Sequence, residues 1–416
     1  METKHPSKDI VGVKGSQLKN KKIALCVTGS VAAFQSPKIA RELMRYGAEV
    51  IPIMSPMAQE IIHPNLMEWA TGNPTITKMD GKIDFITLTE PPNKIDLVLI
   101  APATANTIAK LASGINDTPV TAVVLAAYSS NIPIMVVPAM HKSLYDYPST
   151  QENIQKLKSL GFEYIGPKLE EGKAKAAEVE DVVDAVIAKL TPKTMVGFKV
   201  LVTAGPTYEY IDPIRIITNK SSGKMGIAVA KEAYRRGAQV TLIYGSGTEK
   251  PPFGVKTINV ETSEEMAEAV ISELKKDFYH FMVAAGAVAD FAPSESQTKK
   301  ISTMEVKELT LTLKPTRKII KEAKMVSPKT FVIGFKAEYG VSDTELVDKA
   351  YERLVWAGID LMVANDVGRE NVGFRYDTNE VLIVDKSKHV EKIPLARKEE
   401  VARKILDIIL KKFSEA

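Results

Sequence analysis

Apolar residues in this chain fall into short uninterrupted runs separated by longer amphipathic stretches. Ile23 to Val27 is such a run, the pattern of a strand covered on both faces. Thr28-Gly29-Ser30 makes a turn, and Val31 to Tyr46 has helical periodicity. Gly47 ends that helix, and Ala48 to Met54 is the next strand, which completes a βαβ unit. The pattern recurs with Lys199 to Thr203, a glycine turn, an amphipathic run from Ile227 to Arg236, and Gly237-Ala238 leading into Gln239 to Ile243. Two such openings about half a chain apart predict two α/β domains, each with its own parallel sheet. The boundaries follow as a flexible arm or short packing segment over 1–20, a first domain over 21–190 and a second over 191–416. The linker is Thr191 to Gly197, after a helix from Val179 to Leu190.

The remaining runs fill in both halves. Ile95 to Ile100 reads as a strand running into Ala101-Pro102-Ala103-Thr104-Ala105-Asn106, then a helix ending near Ser113-Gly114. Ala122 to Ala126 and Ile134 to Val137 supply further strand or core, and Pro138-Ala139-Met140-His141 follows the last strand. Leu169 to Ala177 reads as an exposed, mobile, lysine-bearing segment. In the second half His280 to Ala284 runs into Ala285-Gly286-Ala287-Val288-Ala289-Asp290, and Thr330 to Gly334 runs into Phe335. A helix over Asp343 to Trp356, a strand over Asp360 to Ala364 and a packing helix over Leu395 to Phe413 complete the chain. Small residues at the carboxyl ends of parallel strands are where open α/β sheets take ligands.

One stretch carries distinctive chemistry: Asn219-Lys220-Ser221-Ser222-Gly223-Lys224-Met225-Gly226, ahead of an amphipathic helix. Glycines let backbone N–H groups crowd an anion, and the helix N-terminus adds partial positive charge. The implied ligand carries several phosphate or carboxylate oxygens. Met225 follows Gly-Lys where a P-loop has Ser or Thr, so the stretch is not a P-loop, nor is it GxGxxG.

Composition narrows the function classes. At 416 residues, two or three domains are expected. Net charge is +4, with 55 Lys and Arg against 51 Asp and Glu, too balanced to imply nucleic-acid binding. No run approaches the ~18 apolar residues of a membrane helix. Met1 to Asn20 lacks the apolar segment of a signal peptide. The single cysteine, Cys26, lies mid-strand, excludes a disulfide framework and fits a reducing cytosol. These features point to a cytoplasmic protein. Of the five histidines, His5 and His389 lie in polar segments, His63 precedes Pro64 and His280 begins a strand. Only His141 lies at a ligand edge, and no zinc spacing is present.

The ordered set of motifs resembles the bifunctional coenzyme A biosynthesis family, a phosphopantothenoylcysteine decarboxylase fused to a phosphopantothenate–cysteine ligase. The resemblance covers nearly all of the chain after Lys21. In the first half it rests on Gly29-Ser30-Val31-Ala32-Ala33, Ala101 to Asn106, Ser113-Gly114-Ile115-Asn116-Asp117 and Pro138-Ala139-Met140. In the second it rests on Thr203-Ala204-Gly205-Pro206-Thr207, Asp212-Pro213-Ile214-Arg215, Asn219 to Gly226, Ala287-Val288-Ala289-Asp290 and Gly334-Phe335.

The resemblance implies a flavodoxin-like FMN domain followed by a Rossmann-like ligase domain. Gly29, Ser30, Val31, Ser55, Ala103, Thr104, Ala105 and Asn106 would contact FMN. The second domain would use CTP and Mg²⁺ to activate 4'-phosphopantothenate as an acyl-cytidylate, from which the amine of cysteine displaces CMP; ATP is the other nucleotide to weigh. Asn219 would orient the acyl phosphate, and Lys300 would neutralise charge at the transferring phosphoryl group. Ala285, Gly286, Ala287, Asp290 and Phe335 would hold the nucleotide, with Lys349 or Arg353 reaching its phosphates. Asp290 could also help hold a metal. Ser221, Ser222, Gly223, Lys224, Met225 and Gly226 would meet the substrate's anionic groups. The family's trimeric flavin domains and dimeric ligase domains imply a homo-oligomer of up to twelve copies.

The chain also departs from the family pattern. The histidine of a His-Ile-x-Leu motif is absent, and Phe85 or Asp84 stands in its place. His141 replaces an asparagine, and Gly172-Lys173-Ala174-Lys175 replaces a cysteine-bearing flap, two changes that resemble archaeal members. His141 is the candidate to orient the substrate carboxylate or take over proton transfer. Two further readings remain at this point: a working ligase whose first domain binds flavin but decarboxylates poorly, and a nicotinamide-dependent oxidoreductase, which the missing GxGxxG disfavours.

Overall fold

In the computed structural model, which describes residues 5–170, 173–252, 254–302 and 308–415, the apolar run of the first half is strand β1 (Lys22–Val27). Its residues from Ile23 to Val27 are fully buried, which explains why they do not alternate with polar ones. Ser30 caps a 3₁₀ turn (Val31–Gln35), and α1 (Ser36–Arg45) follows. The single predicted helix is therefore two pieces. Pro37 favours a helix start there, because it has no N–H to give the turn before it.

The unit continues with β2 (Glu49–Met54), α2 (Pro56–Gln59), α3 (Pro64–Thr71), α4 (Asp84–Thr87), β3 (Leu97–Ala103) and α5 (Ala105–Ser113). Next come α6 (Pro119–Ser129), β4 (Ile134–Pro138), β5 (Met140–His141), α7 (Lys142–Tyr145), α8 (Pro148–Ser159) and β6 (Glu163–Tyr164). It ends with β7 (Lys168–Glu170), β8 (Lys173–Lys175) and α9 (Val179–Leu190). Among the described residues the main sheet runs β2-β1-β3-β4-β6, all parallel. Ala122 to Ala126 lies in α6. Its start is fixed by a capping box at Thr118 with Pro119 behind it, signals that a short apolar run alone does not contain.

Two polar segments also have ordered structure. Residues of the N-terminal arm dock on α1: Leu18 is fully buried, and its amide donates to Tyr46 O at 2.8 Å. The lysine-bearing segment forms a small antiparallel sheet, β5-β8-β7, with Ala174 and Ala177 buried; Gly172 lies outside the described residues.

Contacts divide the chain into two units, Met1–Thr191 and Pro192–Ala416. The second contains β9 (Lys199–Ala204), β10 (Tyr208–Tyr210), β11 (Ile216–Thr218), α10 (Lys224–Arg235), β12 (Gln239–Tyr244), β13 (Lys256–Asn259), α11 (Ser263–Lys276) and β14 (Phe281–Ala284). They are followed by β15 (Phe291–Pro293), β16 (Leu313–Pro315), α12 (Ile319–Val326), β17 (Phe331–Glu338), α13 (Asp343–Ala357), β18 (Leu361–Asp366), β19 (Thr378–Asp385), β20 (Val390–Arg397) and α14 (Lys398–Glu415). Among the described residues the large sheet runs β13-β12-β9-β14-β17-β18-β19-β20. It is parallel as far as β18, and β19 and β20 extend it antiparallel, so the expected parallel sheet is mixed. One core joins the sheet to α10 and α14 through Val229, Ala233, Val401, Ile405 and Ile409. The other joins it to α11, α12 and α13 through Met266, Val270, Ala323, Leu346 and Leu354.

Leu395 to Arg397, expected in the last helix, belong to β20, and α14 starts at Lys398. Leu395 is exposed and Pro394 sits on this edge strand, so the helical spacing of apolar residues there does not mark a buried face.

Candidate functional sites

The anion stretch of the second unit is held against the ends of β9, β12 and β14. Gly223 precedes α10 at φ +88°, and a Cβ there would come within 3.1 Å of the Tyr244 ring. At Gly226 a Cβ would lie 2.5 Å from Ala204 Cβ, so this glycine lets α10 press onto β9. Asn219 Nδ2 donates to Ala287 O at 3.2 Å and Val288 O at 3.1 Å, tying the stretch to the small-residue loop after β14. That loop is itself fixed by Gly286 N donating to Thr203 Oγ1 at 3.0 Å and Ala287 N to Gly205 O at 2.9 Å.

These pieces line a cavity of about 600 Å³, a size suited to a nucleotide-like ligand. Asn219, Ser221, Ser222, Gly223, Lys224 and Met225 contribute one wall. Ala285, Gly286, Ala287, Asp290, Phe335 and Arg353 contribute another. Lysine and arginine charges recur around the rim. Lys318 Nζ pairs with Asp290 Oδ1 at 2.6 Å, and Lys224 Nζ pairs with Asp377 Oδ1 at 2.7 Å. The Lys336 ammonium, then Lys349, holds the Glu338 carboxyl below its ordinary range. Arg353 stacks on Trp356, 4.3 Å from its ring centre.

In the first unit, three successive strand ends along the sheet, those of β2, β1 and β3, present capping hydroxyls at one edge. Ser55 accepts from Ala58 N, Ser30 from Ala32 N, and Thr104 from Thr107 N. Thr28 Oγ1 locks the centre, donating to Pro102 O at 2.8 Å and accepting from Thr104 N at 3.1 Å. Val31, Phe34 and Met57 stand exposed around these hydroxyls. A hydroxyl-lined edge with apolar side chains beside it suits a group having a phosphate at one end and a flat ring at the other.

Comparison with known proteins decides the family. Residues 12–191 match the flavoprotein family, and residues 195–413 match the C-terminal domain family of DNA/pantothenate metabolism flavoproteins. The coenzyme A biosynthesis bifunctional protein CoaBC of Thermococcus kodakarensis is 50% identical over 408 residues, which is 98% of this chain and 99% of that protein. This chain belongs to the CoaBC family. The protein of the same description from Methanocaldococcus jannaschii is 40% identical over 412 residues, 99% of this chain and 98% of its own. A crystal structure of the C-terminal domain of a CoaBC protein, 33% identical, covers 54% of this chain and 100% of its own, with a TM-score of 0.45. The protein is thus a bifunctional enzyme of coenzyme A biosynthesis, with a flavoprotein decarboxylase half and a ligase half. Family membership sets aside the nicotinamide-dependent reading.

Within the CoaBC framework, three candidates stand apart from the ligase cavity lining. Lys300 is exposed on the loop after β15, whose root is held by Asp212: Ile301 N donates to Asp212 Oδ2 at 3.1 Å. Lys349 is exposed on α13 and pairs with Glu338 at 2.9 Å, reaching the cavity only through that carboxylate. Gly226 acts in packing beneath the site. In the flavoprotein half, Phe85 packs on the core around β3 and β4, while Asp84 is half-buried beside it. His141 is exposed at the start of α7 with Nδ1 2.8 Å from Ser143 Oγ, and it pairs across β5 and β8 with Lys173.

Sequence reasoning missed Arg317, Lys318, Asn379 and Lys398, which also line the ligase cavity. Arg317 and Lys318 stand just before a helix without a glycine-rich signature, and Lys398 comes from the last helix. Phe374 O accepts from both Ser222 Oγ at 2.9 Å and Lys398 Nζ at 3.4 Å, so Lys398 stands beside the anion stretch.

Proposed function

We propose that the second unit joins 4'-phosphopantothenate to cysteine with CTP, and that the first decarboxylates the product with FMN to give 4'-phosphopantetheine. The observation carrying the ligase half is the single cavity that gathers Asn219, the Ser221–Met225 loop and the small-residue loop after β14. In the first step a carboxylate oxygen of the acid attacks the α-phosphorus of CTP and pyrophosphate leaves. In the second, the amine of cysteine attacks the acyl carbon, CMP departs and the amine loses its proton. Asn219 orients the acyl phosphate. The backbone amides of the Ser221–Met225 loop and Lys224 take anionic oxygens, in keeping with oxyanion stabilisation by fixed donors. Ala285, Gly286 and Ala287 leave room for the base, and Phe335 packs on it. Arg353 contacts phosphate. Lys300 and Lys349 act only if their segments close on the nucleotide.

Among the described residues no group of three or more His, Cys, Asp or Glu side chains is placed to hold a metal. Mg²⁺ would be carried by the nucleotide phosphates, with Asp290 available once Lys318 turns to a phosphate. In the first unit, Ser30, Ser55, Thr104 and Asn106 would hold the FMN phosphate and polar chain, with Gly29, Val31, Ala103 and Ala105 alongside. Bound flavin supplies a two-electron sink and source for the cysteine end of the product. His141 keeps Nδ1 on Ser143 and offers Nε2 to the substrate carboxylate. Copies assemble through both halves, up to a dodecamer, in the cytoplasm.

The purified protein is expected to be yellow with an oxidised-flavin spectrum, to form CMP only when both acid and cysteine are present, and to release carbon dioxide from phosphopantothenoylcysteine. AMP formation from ATP at equal efficiency would overturn the nucleotide assignment. Bound flavin without carbon dioxide release would leave the ligase alone.

A further inference from the structure

Lys398 is a buried charge that the ligase reading leaves without a task. It is the first residue of α14 and only 6% exposed. It lines the main cavity and also an adjoining one of about 200 Å³, and Lys224 is the other lysine common to both. Its Nζ donates to two neutral carbonyls, Gly373 O at 2.9 Å and Phe374 O at 3.4 Å. An ammonium has three donors, and a buried charge without an opposing charge is costly. Burial, and then the nearby Lys224, push this amine down to about 8, against the pull of Asp377 and Glu249. The two carboxylates that pull on it face Lys224, whose Nζ lies 2.7 Å from Asp377 Oδ1 and 4.0 Å from Glu249 Oε1.

The ligase reaction brings together two polyanions, a nucleoside triphosphate and an acid bearing a phosphomonoester, so its site needs two separate places for phosphate. Asp290, Arg317, Lys318, Phe335 and Arg353 suit the nucleotide. The end of the cavity at Ser222, Lys224, Gly373, Phe374 and Lys398 remains.

We propose that Lys398, together with Lys224 and the Ser222 loop, binds the phosphomonoester of the acyl substrate and thereby sets the preference for the phosphorylated over the unphosphorylated acid. This rests on the ligase reading above. Lys398 is a binding residue here, remote from the bonds that change. The present protein surface already supplies the second ammonium, since Lys224 needs only to exchange Asp377 for phosphate.

The test is steady-state CMP formation by the full-length protein with 4'-phosphopantothenate and with pantothenate, comparing wild type, Lys398→Met and Lys398→Arg. A charge-assisted hydrogen bond of this kind corresponds to about 10- to 100-fold in affinity. Lys398→Met is expected to raise KM for the phosphorylated acid by about that factor while KM for CTP changes less than about threefold. The preference for the phosphorylated acid should collapse by a similar factor, and Lys398→Arg should recover most of it. A rise in KM for CTP instead, or equal losses with both acids together with a fall in Tm, would overturn the proposal and leave Lys398 as a staple for the Gly373–Phe374 turn. If Lys398→Met does not fold, the same ratio measured in Lys224→Met decides, and an unchanged preference there counts against the subsite. Wild-type protein that forms no CMP would remove the ligase reading and this inference together.

Discussion

Asn219 reaches across to Val288: its side-chain nitrogen lies 3.1 Å from the Val288 carbonyl oxygen and 3.2 Å from that of Ala287. A carboxylate cannot donate to either carbonyl. Asn219→Asp would place negative charge against two acceptors and beside the expected phosphates. Ligation is expected to fall by about 100-fold or more, the scale of removing one oxyanion donor. The flavin spectrum should not change. Cysteine-dependent CMP release checks this, and a wild-type rate would show that Asn219 neither orients substrate nor shapes the loop.

Asp212 governs a segment rather than a substrate. Its carboxyl is buried, which alone would raise its proton affinity. Backbone N–H groups of Ile214, Ile301 and Arg215, with the Arg215 guanidinium, outweigh that effect and hold it well below the usual carboxylate range. The sign follows directly. The carboxylate's contribution to stability is present above its unfolded value of about 3.9 and is lost as pH falls through the folded one. Asp212→Asn should lower Tm at neutral pH and flatten the acid limb of a Tm-against-pH curve. It should also slow ligation, by on the order of 10²-fold if the loop bearing Lys300 must be placed accurately. A variant with altered Tm and a wild-type rate would separate that loop from the chemistry.

Gly226 offers a test confined to packing. An added methyl would lie 2.5 Å from Ala204 Cβ and 2.9 Å from Thr203 O, which is too close without moving α10 off β9. Gly226→Ala is expected to destabilise the second unit by about 1–3 kcal/mol, the usual cost of overpacking. Denaturant titration measures it.

Much of the fold and part of the site are legible in the sequence alone. The strands of both parallel cores were legible because Ile23 to Val27 and Lys199 to Thr203 are continuous apolar runs closed by glycine turns. The cavity wall from Asn219 to Met225 and the loop from Ala285 to Asp290 were legible because small residues and glycines mark close backbone approach. Lys398 was not legible: it is one of 55 lysines and arginines, and what distinguishes it is burial against a turn 25 residues earlier. The antiparallel β19 and β20 bring that turn and α14 to the site, and an edge strand with an exposed Leu395 resembles the start of a helix when only spacing is seen.

Lys398 also predicts a pH dependence. Its amine sits at about 8 in the folded protein against an ordinary value of 10.5. Facing it are Lys224 from α10, Asp377 ahead of β19, Glu249 after β12, and Arg397 and Glu399 on either side in sequence. kcat/KM for the phosphorylated acid should fall as pH rises through about 8. Lys398→Arg, which stays charged, should move that fall to higher pH. As for stability, the unfolded chain binds more protons between the two values, so this group's contribution rises with pH across that window.

In the flavoprotein half, His141→Ala should reduce carbon dioxide release by about 100-fold if Nε2 meets the substrate carboxylate or its proton. Flavin content should be unchanged. A rate equal to wild type would make His141 only the cap of α7.

The central claim is that the cavity joining the Asn219–Met225 loop to the loop after β14 holds a nucleotide-activated acyl group. The most direct measurement is a structure of the protein with CTP and 4'-phosphopantothenate bound. The account predicts the activated α-phosphate beside Asn219, the phosphomonoester of the acid at the Ser222–Lys224 end, and the base beside Phe335. Phosphates lodged away from that cavity, with Asn219 still tied only to Ala287 and Val288, would contradict it.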